Sequence, residues 1–203
     1  MLDDLTNLLS LLKDPSLLVT KGYLAGEWCE ADNGQTFPVY NPARDDVVAN
    51  VSDISRAQTA AAISVAENAQ KVWASRPAKE RSNLMRVWFN LMMENHDDLA
   101  TILTAEQGKP LEEAKGEIAY GASFIEFFAE EAKRVYGETI PGHQFDKRIT
   151  VIKQPIGVAA SITPWNFPNA MITRKQGQHW QLAALLLRDL LLKLHYPHWL
   201  WAF

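Results

Sequence analysis

The stretch from residue 155 to residue 175, "PIGVAASITPWNFPNAMITRK", predicts a strand, a turn and the start of a helix. Val158 to Ile162 are small and apolar on both faces, as is typical of a buried parallel strand. The helix is predicted to begin at about Asn169. Since a strand, a turn and a helix in this order form the first half of a βαβ unit, the expected fold class is α/β.

The turn from Thr163 to Pro168 is the first place to look for a functional site. Ligands of parallel sheets bind beyond the carboxyl ends of the strands, and this turn lies at such an end. The usual phosphate-binding patterns, GxGxxG and GxxxxGK[ST], do not occur in the sequence. Asn166 has two interpretations by itself: it completes the turn or caps the helix, or its amide donates to a developing oxyanion.

Four helices are predicted between residues 55 and 136. Ser55 is typical of an N-cap, Gly108 of a helix stop, and Pro110 of a first helical turn. The second helix carries a core-facing stripe formed by Leu84, Val87, Trp88, Leu91 and Met92. The aromatic residues of the fourth helix, Phe124, Phe127 and Phe128, are interpreted as core rather than as a ligand-binding group.

Two further regions predict strands. Thr139 to Gln154 alternates in polarity and is rich in β-branched residues. Near the N-terminus, two strand-like runs flank Asn33-Gly34, a dipeptide that favours a tight hairpin turn, and Val47 to Val51 predicts a third strand. Residues 1–21 predict a short amphipathic helix rather than a signal peptide, since acidic residues stand where a signal needs positive charge.

Composition excludes several classes of function. The net charge of -4 at pH 7 gives no reason to expect nucleic acid as a partner. No apolar run is long enough to cross a bilayer, so no membrane partner is expected. Cys29 is the only cysteine, which excludes an intrachain disulfide and fits a cytoplasmic protein. His96 and His143 are isolated, so no metal site is expected.

Several segments resemble the aldehyde dehydrogenase superfamily, in the order in which that family has them. They are "GEW…NPA" between residues 26 and 43, "EQGKPLEEAKGEIAYGASFIEFFAEEAKRVYGETIPG" at residues 106–142, and the stretch 155–175. The resemblance covers about Gly22 to Lys175. Within the superfamily, the chain is most similar to succinate-semialdehyde dehydrogenases.

This resemblance implies the N-terminal part of the aldehyde dehydrogenase fold. A helical segment at residues 1–21 would precede the first part of the cofactor-binding domain at 22–138. Residues 139–154 would be strands of an oligomerisation arm, and 155–175 the first strand, turn and helix of a Rossmann-like nucleotide-binding sheet. The resemblance therefore also implies homo-oligomers among full-length relatives.

The resemblance implies roles for residues of the 155–175 stretch. Asn166 matches the asparagine that binds the oxyanion of a thiohemiacetal. The residues that match the nicotinamide side of the cofactor cleft are Ile162, Thr163, Pro164 and Trp165. Arg174 matches the arginine that binds the distal carboxylate of succinate semialdehyde, which a guanidinium can do bidentately. Without the resemblance, a surface arginine would be the simpler interpretation of Arg174.

The implied reaction oxidises a small-molecule aldehyde to an acid with NAD or NADP. It needs a cysteine nucleophile and a glutamate base, both of which lie beyond residue 203 in the family, and Cys29 matches no catalytic position. We therefore expect an incomplete cofactor site and an N-terminal fragment that is inactive alone. The alternative is a truncated subunit that acts only by associating with itself or with full-length subunits.

Residues 176–203 form an aberrant apolar tail with leucine runs and three tryptophans. Two stretches of the expected family sequence can be written as DNA that, when it is read one base out of frame, encodes Gln176 to Ala184 and Leu192 to Leu200. We therefore hypothesise a frameshift after Lys175, and expect the tail from Leu182 to collapse onto an exposed strand edge without a unique structure. The alternative is a genuine C-terminal helix from Leu182 to Leu194 that docks on the sheet.

Overall fold

The computed structural model describes residues 8–181 and the backbone of residues 185–188. The helices are α1 (Arg56–Ser75), α2 (Ala78–Glu94), α3 (His96–Gln107), α4 (Leu111–Glu131) and α5 (Pro168–Gln181). The strands are β1 (Gly22–Leu24), β2 (Glu27–Cys29), β3 (Thr36–Asn41), β4 (Asp46–Ser52), β5 (Glu138–Pro141), β6 (Arg148–Val151), β7 (Val158–Ser161) and β8 (Leu185–Arg188). Residues 8–11 are also helical, and 3-10 turns lie at Pro15–Leu17 and Ala132–Arg134. This mixture of helices and strands confirms the α/β class.

The predicted hairpin turn at Asn33-Gly34 is wrong. The strands β1 and β2 are joined instead by Ala25-Gly26, whose φ angles of 56° and 90° suit a tight turn between twisted strands. Asn33-Gly34 is a turn, but it connects β2 to β3, and these strands belong to different hairpins. The third strand predicted at Val47 to Val51 is confirmed as part of β4, which pairs with β3.

The helix boundaries predicted at Ser55 and Gly108 are confirmed, whereas Pro110 precedes its helix instead of lying in the first turn. The Ser55 hydroxyl accepts a hydrogen bond from the Gln58 N–H, and the Gln58 side chain accepts one from the Ser55 N–H, which forms a reciprocal cap at the start of α1. Gly108 ends α3 in the left-handed conformation with φ 77°. Pro110 is the residue immediately before α4.

Helix α4 lies at the centre of the helical core, between α2, α3 and α5. One apolar cluster joins α2, α4 and α5 through Met85, Trp88, Met92, Ala122, Ile125, Phe128, Ala129 and Ile172. Another joins α3 to α4 through Leu99, Ala100, Leu103, Ala114 and Ile118. Because α4 takes part in both clusters, it is the support against which α5 and the turn before it are fixed.

Two details of the predicted core are wrong. Val87 is exposed, and Met85 is buried beside Trp88 and Met92, because the buried stripe of α2 extends from Trp88 toward Met85 and not toward Val87. Phe127 is also exposed, whereas Phe128 is buried and Phe124 packs against the same cluster. The prediction that these aromatic residues build core rather than a ligand-binding group therefore fails for Phe127 alone.

The strands predicted between Thr139 and Gln154 form the β5–β6 hairpin, in which every strand residue is exposed. Apolar side chains on this hairpin, Ile140, Ile149 and Val151, lie open to solvent. The role of residues 139–154 as an oligomerisation arm stays a prediction.

Strand β7 is less buried than its composition predicted. Val158 and Ala159 are half-buried, Ala160 is exposed, and only Ser161 is buried. Within the described part of the chain β7 has a single partner strand, β8, which runs parallel to it from Leu185. A strand with one neighbour keeps an open edge, so small apolar residues do not suffice to bury it.

The backbone stays helical after Lys175. Helix α5 continues to Gln181, and Trp180 packs edge-on against Trp73, whose indole N–H donates to the Trp180 carbonyl at 3.1 Å. The tail was expected to collapse onto the strand edge without a unique structure. Residues 185–188 do lie on that edge, as a strand that pairs parallel with β7, and the expectation that the tail lacks a unique structure stays a prediction.

The rest of the tail, residues 182–184 and 189–203, lies outside the described residues. The alternative helix from Leu182 to Leu194 is wrong for residues 185–188, which form a strand. Residues 1–7 of the predicted N-terminal helix also lie outside the described residues. In the part of the chain that is described, no helix is long and apolar enough to span a membrane.

We predict that Gln176→Leu stabilises the chain. Gln176 is 1% exposed, yet its Nε2 has no hydrogen-bond partner among the described residues. Removing an unpaired buried donor should raise the free energy of unfolding by about 1–2 kcal/mol, measured by urea denaturation. Gln178→Leu, at an exposed position on the same helix, should change it by less than about 0.5 kcal/mol. A loss of stability in Gln176→Leu would contradict this account.

Candidate active site

The turn between β7 and α5 presents its side chains to solvent at the carboxyl end of the strand. Ile162 and Trp165 are each 62% exposed, and Asn166 is also exposed. The residues predicted to contact a cofactor and an oxyanion therefore form one continuous, accessible loop, residues 162–167, which we call the site loop.

Glu117 of α4 caps the first turn of α5. Its Oε1 accepts hydrogen bonds from the N–H groups of Asn169, at 2.9 Å, and Ala170, at 3.3 Å. The N–H groups of a first helical turn have no partner within the helix, and the helix dipole favours a negative charge there. The N-terminus of α5 thus binds the protein's own carboxylate, and those two donors are not open to a phosphate group.

Lys109 supplies the opposite charge and connects it to the site loop. Its Nζ pairs with Glu117 Oε2 and donates a hydrogen bond to the Asn166 carbonyl at 3.2 Å. The same ammonium lies 4.0 Å from the centroid of the Phe167 ring, an arrangement that favours a cation–π contact. Since Glu117 is 2% exposed, its charge needs this partner.

A second lysine holds the other end of the site loop. Lys175 Nζ donates to the Ile162 carbonyl at 2.8 Å. The backbone of the loop is therefore fixed at its first residue by α5 and, near its last residues, by Lys109.

The side chain of Asn166 is available to a ligand. Its backbone carbonyl is held by Lys109, but no hydrogen bond to its amide group is formed by the described residues. An exposed amide on a fixed backbone can donate to negative charge on a substrate oxygen.

Arg174 lies on the exposed face of α5, two turns after the site loop. Its Nη2 lies 2.9 Å from Met171 Sδ, and its guanidinium carbon lies 5.7 Å from the centroid of the Phe124 ring. Within the described ranges no carboxylate pairs with it. The guanidinium can therefore bind an anionic ligand, although none of its contacts joins it to the site loop.

Cys29 is not placed or activated as a nucleophile. It lies in β2, half-buried, and desolvation by burial raises the pKa of its thiol, with a smaller opposing effect from Lys21. A nucleophilic cysteine needs a lowered pKa. Among the residues that the structure describes, no group of three histidine, cysteine or acidic side chains is arranged to bind a metal ion.

Sequence analysis missed Glu117, Lys109 and Lys175. One signal pointed to Glu117. It is an acidic residue on a helical stripe that is otherwise apolar and buried, and that includes Gly121 and Phe128. What it contacts is not visible in the sequence, because Asn169 lies 52 residues further on.

Gly121 lets α5 approach α4 at this cap. A Cβ placed on Gly121 would lie far inside van der Waals contact with the amide of Asn169, and at 3.1 Å from the Thr173 hydroxyl. Both neighbours are buried, so neither can move aside freely.

Comparison with known proteins identifies relatives for most of the chain. The aldehyde dehydrogenase family matches residues 28–181. A glutarate-semialdehyde dehydrogenase of Pseudomonas putida is 63% identical over 166 residues, which are 82% of this chain and 35% of that protein. An Escherichia coli succinate-semialdehyde dehydrogenase [NADP(+)] is 58% identical over 82% of this chain and 34% of its own length. A 3-sulfolactaldehyde dehydrogenase of Pseudomonas putida is 56% identical over 81% of this chain and 34% of its own length.

Solved structures also resemble the fold of this chain. The crystal structure of an Escherichia coli NADP-dependent enzyme superposes with a TM-score of 0.86 and 55% identity, over 87% of this chain and 37% of that one. This chain thus spans about a third of the length of the proteins it matches.

We predict opposite effects for alanine at two glycines of α4. Gly121→Ala should lower the free energy of unfolding by about 1–3 kcal/mol, because the new methyl group forces α5 away. Gly116→Ala meets nothing within 4 Å and should raise it by about 0.5–1 kcal/mol through helix propensity. Chemical denaturation of both variants measures this, and a Gly121→Ala chain as stable as Gly116→Ala would show that the close approach is not needed.

Proposed function

Because the chain belongs to the aldehyde dehydrogenase family, we propose that its site loop and α5 form part of the active site of an NAD(P)+-dependent semialdehyde dehydrogenase. The chain spans about a third of its relatives, so residues outside it would complete that site. The observation that carries the proposal is Asn166, whose amide is exposed and without a partner among the described residues, on a backbone fixed by Lys109.

Asn166 would act where negative charge develops. In this class of reaction a cysteine thiolate attacks the aldehyde carbon, and the aldehyde oxygen becomes an oxyanion of a thiohemiacetal. An amide donor held 2.7–3.1 Å from that oxygen stabilises it more than it stabilises the neutral aldehyde. Cys29 does not fit the part of the nucleophile, because burial raises the pKa of its thiol.

Arg174 would select the substrate by the end remote from the aldehyde. Three similar proteins are named for glutarate semialdehyde, succinate semialdehyde and 3-sulfolactaldehyde, each of which carries an anionic group besides the aldehyde. An exposed guanidinium without a carboxylate partner in the described structure suits such an anion. We propose a short aldehyde acid, with succinate semialdehyde as the first candidate.

NAD or NADP, in its oxidised form, would be the hydride acceptor. The exposed apolar side chains of Ile162 and Trp165 fit contact with a flat ring, and with Thr163 and Pro164 they are the residues we propose to hold it. Since Glu117 occupies the first turn of α5, the diphosphate would have to bind elsewhere. In support of this assignment, one close relative is named for NADP(+).

Association with other subunits is the second candidate function. It is favoured by the β5–β6 hairpin, where Ile140, Ile149 and Val151 are exposed and Phe145 is fully open to solvent. Apolar groups left open in this way are typical of contact surfaces. Self-association that is lost on mutation of this hairpin, together with an Asn166 side chain that contributes nothing to catalysis in a complete enzyme, would favour this candidate over the first.

The proposal predicts two separable kinetic effects in a graft that replaces the matching segment of the Pseudomonas putida glutarate-semialdehyde dehydrogenase with residues 28–175. Asn166→Ala should lower kcat by roughly 100- to 1,000-fold for every aldehyde, because an oxyanion donor is lost. Arg174→Ala should raise KM for glutarate semialdehyde by roughly 10- to 100-fold and leave KM for pentanal nearly unchanged, because only the former carries a carboxylate.

Arg134→Ala is the matched control for Arg174→Ala, since it removes a guanidinium from a surface pair with Glu131. It should alter neither constant. Equal KM changes for the charged and uncharged aldehydes would refute the role of Arg174, and an unchanged kcat in Asn166→Ala would refute the proposed function.

The 203-residue chain by itself should not reduce NAD(P)+ in the presence of an aldehyde. Its single cysteine, Cys29, has a raised thiol pKa, and the loss of a nucleophile costs about a millionfold in rate. Absorbance at the NADH band measures this directly, with Cys29→Ser as the control. Turnover that disappears in Cys29→Ser would show that Cys29 is the nucleophile after all.

A further inference from the structure

We propose that Lys109 and Glu117 are positioning residues for Asn166, acting through the backbone of the site loop. This inference rests on the proposed function, because it assigns to the pair the task of aiming the oxyanion donor. Neither residue belongs to the loop: Lys109 precedes α4, and Glu117 lies in its second turn.

The two oxygens of Glu117 join two different elements. Oε1 binds the first turn of α5, while Oε2 binds Lys109, whose ammonium donates to the Asn166 carbonyl. A cap for the helix alone would need only the first of these contacts. The second contact extends the network to the peptide group that follows Asn166.

The charged groups of Lys109 and Glu117 are both shielded from water. The side chain of Lys109 is 9% exposed and that of Glu117 is 0% exposed. Breaking a buried pair by removing one partner leaves an uncompensated charge, which is strongly unfavourable. The ammonium is therefore confined between the carboxylate, the Asn166 carbonyl and the Phe167 ring.

Confinement of this ammonium restricts where the Asn166 side chain can point. Fixing the Asn166 carbonyl fixes the adjacent peptide plane and limits rotation of the residue about its backbone. A catalytic donor has to be held within about 0.5 Å of its productive position, usually by hydrogen bonds from neighbouring residues. Lys109 makes such a bond to Asn166 itself, whereas Lys175 holds the loop at Ile162.

The test uses the 203-residue chain and two spectroscopic signals. One is the ¹⁹F resonance of 5-fluorotryptophan at Trp165, assigned by its loss in Trp165→Phe. The other is hydrogen exchange at the amides of Asn169 and Ala170. Lys109→Met should shift and narrow the Trp165 resonance, because the loop that carries this already exposed side chain loses its hydrogen bond from Lys109, and should accelerate exchange at both amides by about a hundredfold.

Two variants separate positioning from general stability. Lys109→Arg keeps the charge and the donors and should return the Trp165 resonance toward its original position. Lys115→Met removes a lysine of α4 that pairs on the surface with Asp97 and Glu112, and should leave both signals unchanged.

If Lys109→Met does not fold, Lys109→Met/Glu117→Gln replaces it, because that variant leaves no buried ion without a partner. A displaced Trp165 resonance in the folded variant supports the proposal. An unchanged resonance, or an equal displacement in Lys115→Met, overturns it. Failure of the proposed function would be distinct, since it would appear as an unchanged kcat in the Asn166→Ala graft, whatever Lys109→Met does to the loop.

Discussion

The Glu117 carboxylate is the contact on which the geometry of the site depends. It lies on a helix of the core and bonds the first turn of α5, which otherwise has unsatisfied N–H groups at a buried position. A carboxylate is favourable there because of the helix dipole, but it is tolerated in the interior only with a counter-charge. Lys109 provides that charge, and so the requirement for neutrality also brings the site loop to α4.

The packing around this contact follows from the same constraint. For Glu117 to bind Asn169, α5 has to approach α4 closely, and Gly121 is the residue that leaves room for it. Apolar residues on either side, among them Ile125 and Ile172, then close the interface against water. Exclusion of water strengthens the buried ion pair, so polar and apolar contacts support each other here.

The two side chains proposed to act on substrate depend on this frame in different ways. Asn166 follows the backbone of a loop that is held at both ends by lysines. Arg174 follows the helix, and its direction is set by Met171 and the Phe124 ring on α4. An anion-binding group on a helix and an oxyanion donor on a loop thus share one support, which is the α4–α5 interface.

The sequence by itself determined what depends on local geometry. The caps at Ser55 and Gly108, the helices between them and the strand before the site loop follow from neighbouring residues, and the motif around Asn166 identified the family. Tertiary structure decided what depends on distant partners: Asn33-Gly34 turns between two hairpins rather than within one, β7 pairs with a single strand among the described residues, and α5 continues past Lys175. It also decided the network of Glu117, Lys109 and Asn166, because a hydrogen bond between residues 52 positions apart leaves no period or spacing in the chain.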